Sequence, residues 1–173
     1  MIEHPKLKVK LDSILPKHVD DLFDWRNDPE IFKWCRQRDL LDYNNHLKWY
    51  ESLTGNKSIK MYLVRNQSDQ PIGVCGLTDI DLYNQRAEFS LYIASIYQKS
   101  GLGTDALKLL LYHGFKTYPL NVIWGETFLG NGALTTFKKI GFTIEGTRRD
   151  FYFKGGKHID AILVSIKRNE FTV

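Results

Sequence analysis

Tyr97-Gln98-Lys99-Ser100-Gly101-Leu102-Gly103-Thr104 decides how the chain is read. This stretch joins a strand-like run at 87–94 to the most strongly helical segment, 102–115. Glycines at 101 and 103 remove side chains, so that backbone can approach a ligand closely. The first helical turn offers unpaired N–H donors, the helix dipole adds positive potential, and Lys99 adds a full charge. Such a loop suits a phosphate or pyrophosphate. It is not a dinucleotide fingerprint, because Ala106 stands where the third glycine belongs and the preceding strands do not alternate with helices. A P-loop would need Gly-Lys-Ser/Thr after the glycines, and that is absent. The bland alternative is a helix that simply opens on a glycine turn.

Working back from this loop, three strand-like runs at 59–64, 71–80 and 87–94 read as an antiparallel meander. Turn clusters at 66–69 and 82–85 separate them. Before them lie a strand over 6–11, a helix from Pro16 that is interrupted at Asn27-Asp28-Pro29, and a second helix over 44–53. Beyond 102–115 come a strand at 122–128, a short helix at 133–139 ended by Gly141, and strands at 142–153 and 158–166. Lys154-Gly155-Gly156-Lys157 joins the last two as a tight hairpin. No linker or repeat interrupts this order, and residues 1–173 read as one α+β domain.

The 173 residues carry 43% hydrophobic and 25% charged side chains, which excludes disorder and low complexity. No apolar run is long enough to span a bilayer and Met1–Lys10 lacks a signal-peptide core, so a cytoplasmic protein is expected. Cys35 and Cys75 form no CxxC pair and have no histidine at ligand spacing; two reduced thiols are expected, and no metal. A net charge of +4 points to an anionic partner. The basic residues are dispersed, so a phosphorylated small molecule fits better than nucleic acid.

Gln98-x-x-Gly101-x-Gly103 after an antiparallel strand, followed by helix, strand, short helix and Lys138-Lys139-Ile140-Gly141-Phe142, resembles the GNAT superfamily of acyl-CoA-dependent N-acetyltransferases. The resemblance covers essentially the whole chain. It implies a mixed, mostly antiparallel sheet of about seven strands flanked by about four helices, with a V-shaped splay between the central strands. It also implies acetyl-CoA as acetyl donor. Backbone at Leu91, Tyr92 and Ile93 would pair with the pantetheine arm, and Gln98, Lys99, Ser100, Gly101, Leu102, Gly103 and Thr104 would cradle the pyrophosphate. Asn131 and Phe137 fall at or near further cofactor positions. Asn131 lies one residue late for the pantetheine asparagine, and Phe137 replaces a tyrosine that commonly protonates the leaving thiolate. Tyr152 or water would then serve. A homodimer through the last strands is a family-level expectation.

A narrower resemblance rests on Trp25-Arg26-Asn27-Asp28-Pro29-Glu30, Trp34 and His46-Leu47-x-Trp49-Tyr50. It is similar to acetyltransferases of nucleotide-linked 4-amino-6-deoxy sugars, with related wording in the ribosomal-protein and polyamine branches. Arg26, Lys33 and Arg36 would meet phosphate, and Asn27, Trp34, His46, Tyr152 and His158 would line the acceptor site. Trp25 and Trp49 read as core anchors.

Attack on a thioester needs a neutral amine, hence a base near the cleft. Glu126 matches an active-site glutamate of related enzymes. Alternation places it on the face of Trp124 and Phe128, where desolvation would suit a base. Glu88 is the second candidate. The expected activity is acetylation of a nucleotide-linked amino sugar. The alternatives are a protein N-terminus or polyamine as acceptor, and a non-catalytic acyl-CoA-binding module.

Overall fold

A computed structural model describes all 173 residues. Seven strands form one sheet in the order β1-β2-β3-β4-β5-β7-β6. They are β1 Val9–Asp12, β2 Lys60–Asn66, β3 Pro71–Asp81, β4 Arg86–Ile93, β5 Val122–Phe128, β6 Thr143–Lys154 and β7 Lys157–Lys167. The meander expected over β2, β3 and β4 is present. β4 and β5 run parallel and every other pair is antiparallel.

The expected first strand begins later than its alternation suggested. Leu7 N–H donates to the His4 carbonyl, closing a turn, and Ile2 bridges to Leu11 instead. Five α-helices are present where about four were expected: α1 Val19–Asn27, α2 Pro29–Phe32, α3 Tyr43–Ser52, α4 Leu102–Thr117 and α5 Ala133–Ile140. The additional one arises at the interruption itself. Pro29 sits at the first helical position and the Asp28 carboxylate accepts from Glu30 N–H, so the breaker restarts the chain as a short helix.

Alternation along the strands builds two layers of apolar packing. On one face α4 and α5 bury Ala106, Leu107, Leu110 and Phe137 against Cys75, Leu77, Phe89 and Ile123. On the other, Leu22 of α1 meets Leu63 and Val74, with Trp25, Trp49 and Tyr92 packed around them. The two tryptophans are therefore core anchors, as their spacing suggested. Arg168, beyond β7, donates to the carbonyls of Phe115, Tyr118 and Leu120, satisfying the C-terminal end of α4. No helix is long and apolar enough to cross a membrane.

Three histidines are expected to make the fold sensitive to acid. His18 and His46 are both 4% exposed, and His113 is half-buried. Burial lowers the pKa of each from its ordinary 6.5. The His18 Nδ1 already accepts from Leu15 N–H, and Arg65 faces its other nitrogen. In the unfolded chain these rings bind protons more readily, so their contribution is complete above 6.5 and is lost as pH falls toward their folded values. Denaturation midpoints measured between pH 7.5 and 5 are expected to fall, and His18→Gln to flatten that fall. A flat wild-type profile would contradict this reading.

Candidate active site at the β4–β5 splay

β4 and β5 pair only through Arg86↔Val122, Ala87↔Ile123 and Glu88↔Trp124. Beyond that point β4 stays with β3 as far as Ile93, and β5 stays with β7 as far as Phe128. The two central strands thus diverge and leave facing edges of unpaired backbone, the splay the resemblance implied. At its apex the Phe89 ring lies where a Gly125 side chain would go: a Cβ there would stand 2.5 Å from Phe89 Cε1. Phe137 and Phe142 brace that ring, each with its centroid 5.2 Å away. Phe137 is 6% exposed within an aromatic core cluster at this apex.

The glycine loop takes a specific shape. Lys99 (φ +59°) and Gly101 (φ +84°) are left-handed, and Gly101 opens α4 with no side chain capping the helix. A Cβ at Gly101 would meet nothing within 4 Å, so the space in front of the first turn is open. The one acid in that turn, Asp105, is occupied with Lys8 N–H at 3.0 Å. Gln98 Nε2 donates to the Ile93 carbonyl at 2.9 Å, fastening the loop to the end of β4. Ser100 Oγ donates to the Tyr97 carbonyl. Gln98 and Ser100 thus shape the cradle with their side chains, while the first-turn N–H groups of Leu102, Gly103 and Thr104 face its open mouth. An open helix N-terminus with unpaired N–H donors suits a phosphate group.

Leu91, Tyr92 and Ile93 occupy the diverging part of β4. The Tyr92 ring points to the α1 layer, under the Arg26 guanidinium at 5.5 Å, and burial pushes its phenol pKa up. Only its backbone is presented to the splay. Asn131 Oδ1 accepts from Ala133 N–H at 3.0 Å, a local turn contact just before α5.

The two carboxylates proposed as bases come together around one guanidinium. Glu88 is 8% exposed and lies 2.8 Å from Arg36 Nη1; Glu126 Oε1 accepts from the same nitrogen at 3.1 Å. The Glu126 side chain is 2% exposed, and its second oxygen meets Arg148 Nη1 at 3.2 Å. The Tyr152 hydroxyl also donates to Glu126. Burial, and then this contact, raise the Tyr152 pKa. Burial works against the Arg36 charge, but Glu88 and Glu126 outweigh it and push its pKa up. One expectation is corrected here. Glu126 shares its sheet face with Trp124 and Phe128, yet its carboxylate is held by two guanidiniums and the Tyr152 hydroxyl, a charged and hydrogen-bonded setting where an apolar one was expected.

Several residues expected on the acceptor side have structural partners. Asn27 uses both ends of its amide on the backbone of Leu41, accepting at 2.7 Å and donating at 3.2 Å. Arg26 donates to Gln37 and to Cys35 Sγ, so both residues clamp the 33–41 loop. His46 is buried, stacked on Trp49 and bonded to the Val19 carbonyl, a helix-packing position. Arg36 meets carboxylates where phosphate was expected. Trp34 is 38% exposed beside Lys33. His158 lies on the exposed β6–β7 hairpin against Phe153, and of the acceptor-side set only Tyr152 joins the carboxylate cluster.

Arg148 and Lys154 are the residues the sequence reading missed. A period-two count along β6 puts Lys154 on the face of Tyr152, which was the available signal. Arg148 reaches the cluster across an irregularity in the β6–β7 register between Arg148 and Tyr152, where Asp150 turns left-handed (φ +51°).

Comparison with known proteins agrees with this geometry. The family model described as "Acetyltransferase (GNAT) domain" matches residues 8–143. An uncharacterised N-acetyltransferase of Bacillus licheniformis is 26% identical over 163 residues, covering 88% of this chain and 89% of that protein. Spermidine N(1)-acetyltransferase of Escherichia coli K12 is 28% identical over 125 residues, 70% of this chain and 66% of that enzyme. Among solved structures, spermidine N-acetyltransferase from Vibrio cholerae, in complex with CoA and spermine, superposes with a TM-score of 0.89. It covers 94% of this chain and 97% of its own at 18% identity. The amino-sugar branch gains no support from these relatives, and two residues of its supposed signature, Arg26 and Asn27, serve to fasten a loop. A parallel splay, an open glycine cradle and a match over most of the length converge: the chain belongs to the GNAT family of acetyl-CoA-dependent N-acetyltransferases.

Proposed function

We propose that the protein acetylates a primary amine of a small polycationic acceptor, with a polyamine such as spermidine as the first case. The observation that carries this reading is the pair of buried carboxylates, Glu88 and Glu126, meeting where β4 and β5 part. An amine reaches the site protonated and must lose a proton before it can attack, and a carboxylate of this cluster can accept it. A sugar nucleotide would bring phosphates toward the same carboxylates. The spermidine enzymes among the relatives support the same choice.

Bound acetyl-CoA supplies the activated acetyl thioester. In the proposed division of labour, Gln98 to Thr104 hold its pyrophosphate, and backbone at Leu91, Tyr92 and Ile93 aligns its arm. Glu126 accepts the proton from the amine nitrogen, Arg36 and Arg148 fix the carboxylate, and Glu88 balances the Arg36 charge. The Tyr152 hydroxyl, hydrogen-bonded to Glu126, is the phenol of this cluster and takes the acid role that Phe137 has no hydroxyl to fill.

The test is thiol release from acetyl-CoA with spermidine, a nucleotide-linked amino sugar, a short amino-terminal peptide and a blank, beside a Gly101→Glu variant. Turnover with spermidine is expected. Gly101→Glu is expected to weaken acetyl-CoA binding at least about tenfold, since its carboxylate would stand in the open space before the first turn of α4 and oppose the anion. Turnover with the amino sugar or peptide alone would overturn the acceptor. Acetyl-CoA binding without turnover of any amine would indicate the non-catalytic module.

A further inference from the structure

Lys154 ends β6, just before the hairpin, yet its side chain does not run into solvent. Its Nζ donates to three backbone carbonyls at the end of α2 and in the loop after it: Phe32, Cys35 at 2.8 Å and Gln37 at 3.2 Å. It also lies over the Phe32 ring at 3.8 Å from the centroid. Partners 117 to 122 residues away in sequence make this a tertiary fastening. An ammonium with three donors and three acceptors is fully satisfied, and such charge-assisted bonds are stronger than neutral ones.

The segment so held carries Arg36. Arg26 fastens the same loop from α1 through Gln37 and Cys35. The backbone on both sides of Arg36 is therefore pinned, while its side chain, 48% exposed, crosses to Glu88 and Glu126. We propose that Lys154 is a positioning residue for the amine site: by holding residues 32–37 through their carbonyls, it sets the Arg36 guanidinium between Glu88 and Glu126. Burial lowers the Lys154 pKa, with the Arg26 charge acting in the same direction and Cys35 against it. The groups facing Glu126 are Arg36 from the loop and Arg148 and Tyr152 from β6, with Glu88 of β4 across Arg36.

This inference rests on the proposed transfer reaction for its kinetic readout but not for its structural one. Lys154→Met should speed tryptic cleavage at Arg36 and Arg38 of the native protein at least several-fold, and Lys154→Arg should restore much of the protection. In the transfer assay, the acid limb of the kcat/KM profile reports the base in the free enzyme. Loss of a cation beside that base should move the limb up by about one pH unit in both Lys154→Met and Arg36→Gln. The double variant should shift no further than Arg36→Gln alone. Acetyl-CoA affinity should stay within about twofold, because the cradle lies elsewhere. If Lys154→Met does not fold, Lys154→Gln takes its place. An unmoved limb with unchanged cleavage would overturn the proposal, as would additive shifts in the double variant. If the wild type turns over no amine, the acceptor reading fails and the cleavage rates alone decide the role of Lys154.

Discussion

Glu126→Gln is expected to lower kcat/KM for the amine by about 10²–10⁴-fold, the usual worth of a positioned general base, with acetyl-CoA still bound. Glutamine keeps the shape and can still accept hydrogen bonds, but it cannot take a proton from the acceptor. The fold should tolerate the change. Arg36 keeps Glu88 at 2.8 Å, and Arg148 is 41% exposed, so water replaces its lost partner. Binding of acetyl-CoA by isothermal titration, run beside thiol release, separates loss of the base from loss of the site. Glu88→Gln should cost less, because Glu88 reaches the cluster through Arg36 alone apart from a long contact of 3.5 Å with Thr78. Activity of Glu126→Gln within threefold of wild type, with Glu88→Gln inactive, would transfer the base role to Glu88.

Gly125→Ala is expected to destabilise the protein by roughly 1–3 kcal/mol, the range for overpacking a filled core. The added methyl would stand 2.5, 2.8 and 2.9 Å from three carbons of the Phe89 ring. An isolated ring would swing away, but this one is wedged edge-on between Phe137 and Phe142. For a chain of this length, each kcal/mol moves the thermal midpoint by about 2–4 °C. Phe89→Leu in the same chain should recover part of the loss by opening room at the apex of the splay. A midpoint for Gly125→Ala within about 1 °C of wild type would show that the ring yields freely.

The order of elements was legible because each one is written locally. Alternation marks β2 to β4, a three-to-four-residue period marks α4, and paired glycines mark the 154–157 hairpin, where Gly155 and Gly156 both adopt positive φ. The cradle was legible for the same reason, as its physics lies within eight consecutive residues. The splay came from resemblance alone, since nothing in the composition of β4 or β5 says that their pairing stops after Glu88. The acceptor side was the least legible. Arg36 meets Glu88 52 residues away and Glu126 90 residues away, and no period or spacing encodes such a meeting. Residues that looked like a binding motif, Arg26 and Asn27, spend their polarity locally. His46 looked available only because burial is invisible in a sequence where its neighbours, Asn45 and Lys48, are polar.

The irregular pairing of β6 bears on solubility as well as on the amine site. β6 is an outer strand of the sheet and carries exposed Ile144, Phe151 and Phe153, a combination that ordinarily invites strand-on-strand aggregation. Its ladder with β7 shifts register after Ile144 and again after Arg148, and Asp160 accepts from Asp150 N–H at 2.8 Å across the second break. A strand bent in this way presents no long straight row of free N–H and C=O groups to an incoming chain, and Arg148 and Arg149 add like-charge repulsion at the bend. The distortion that delivers Arg148 and Tyr152 to Glu126 thereby also blunts the free edge as a template for fibre growth.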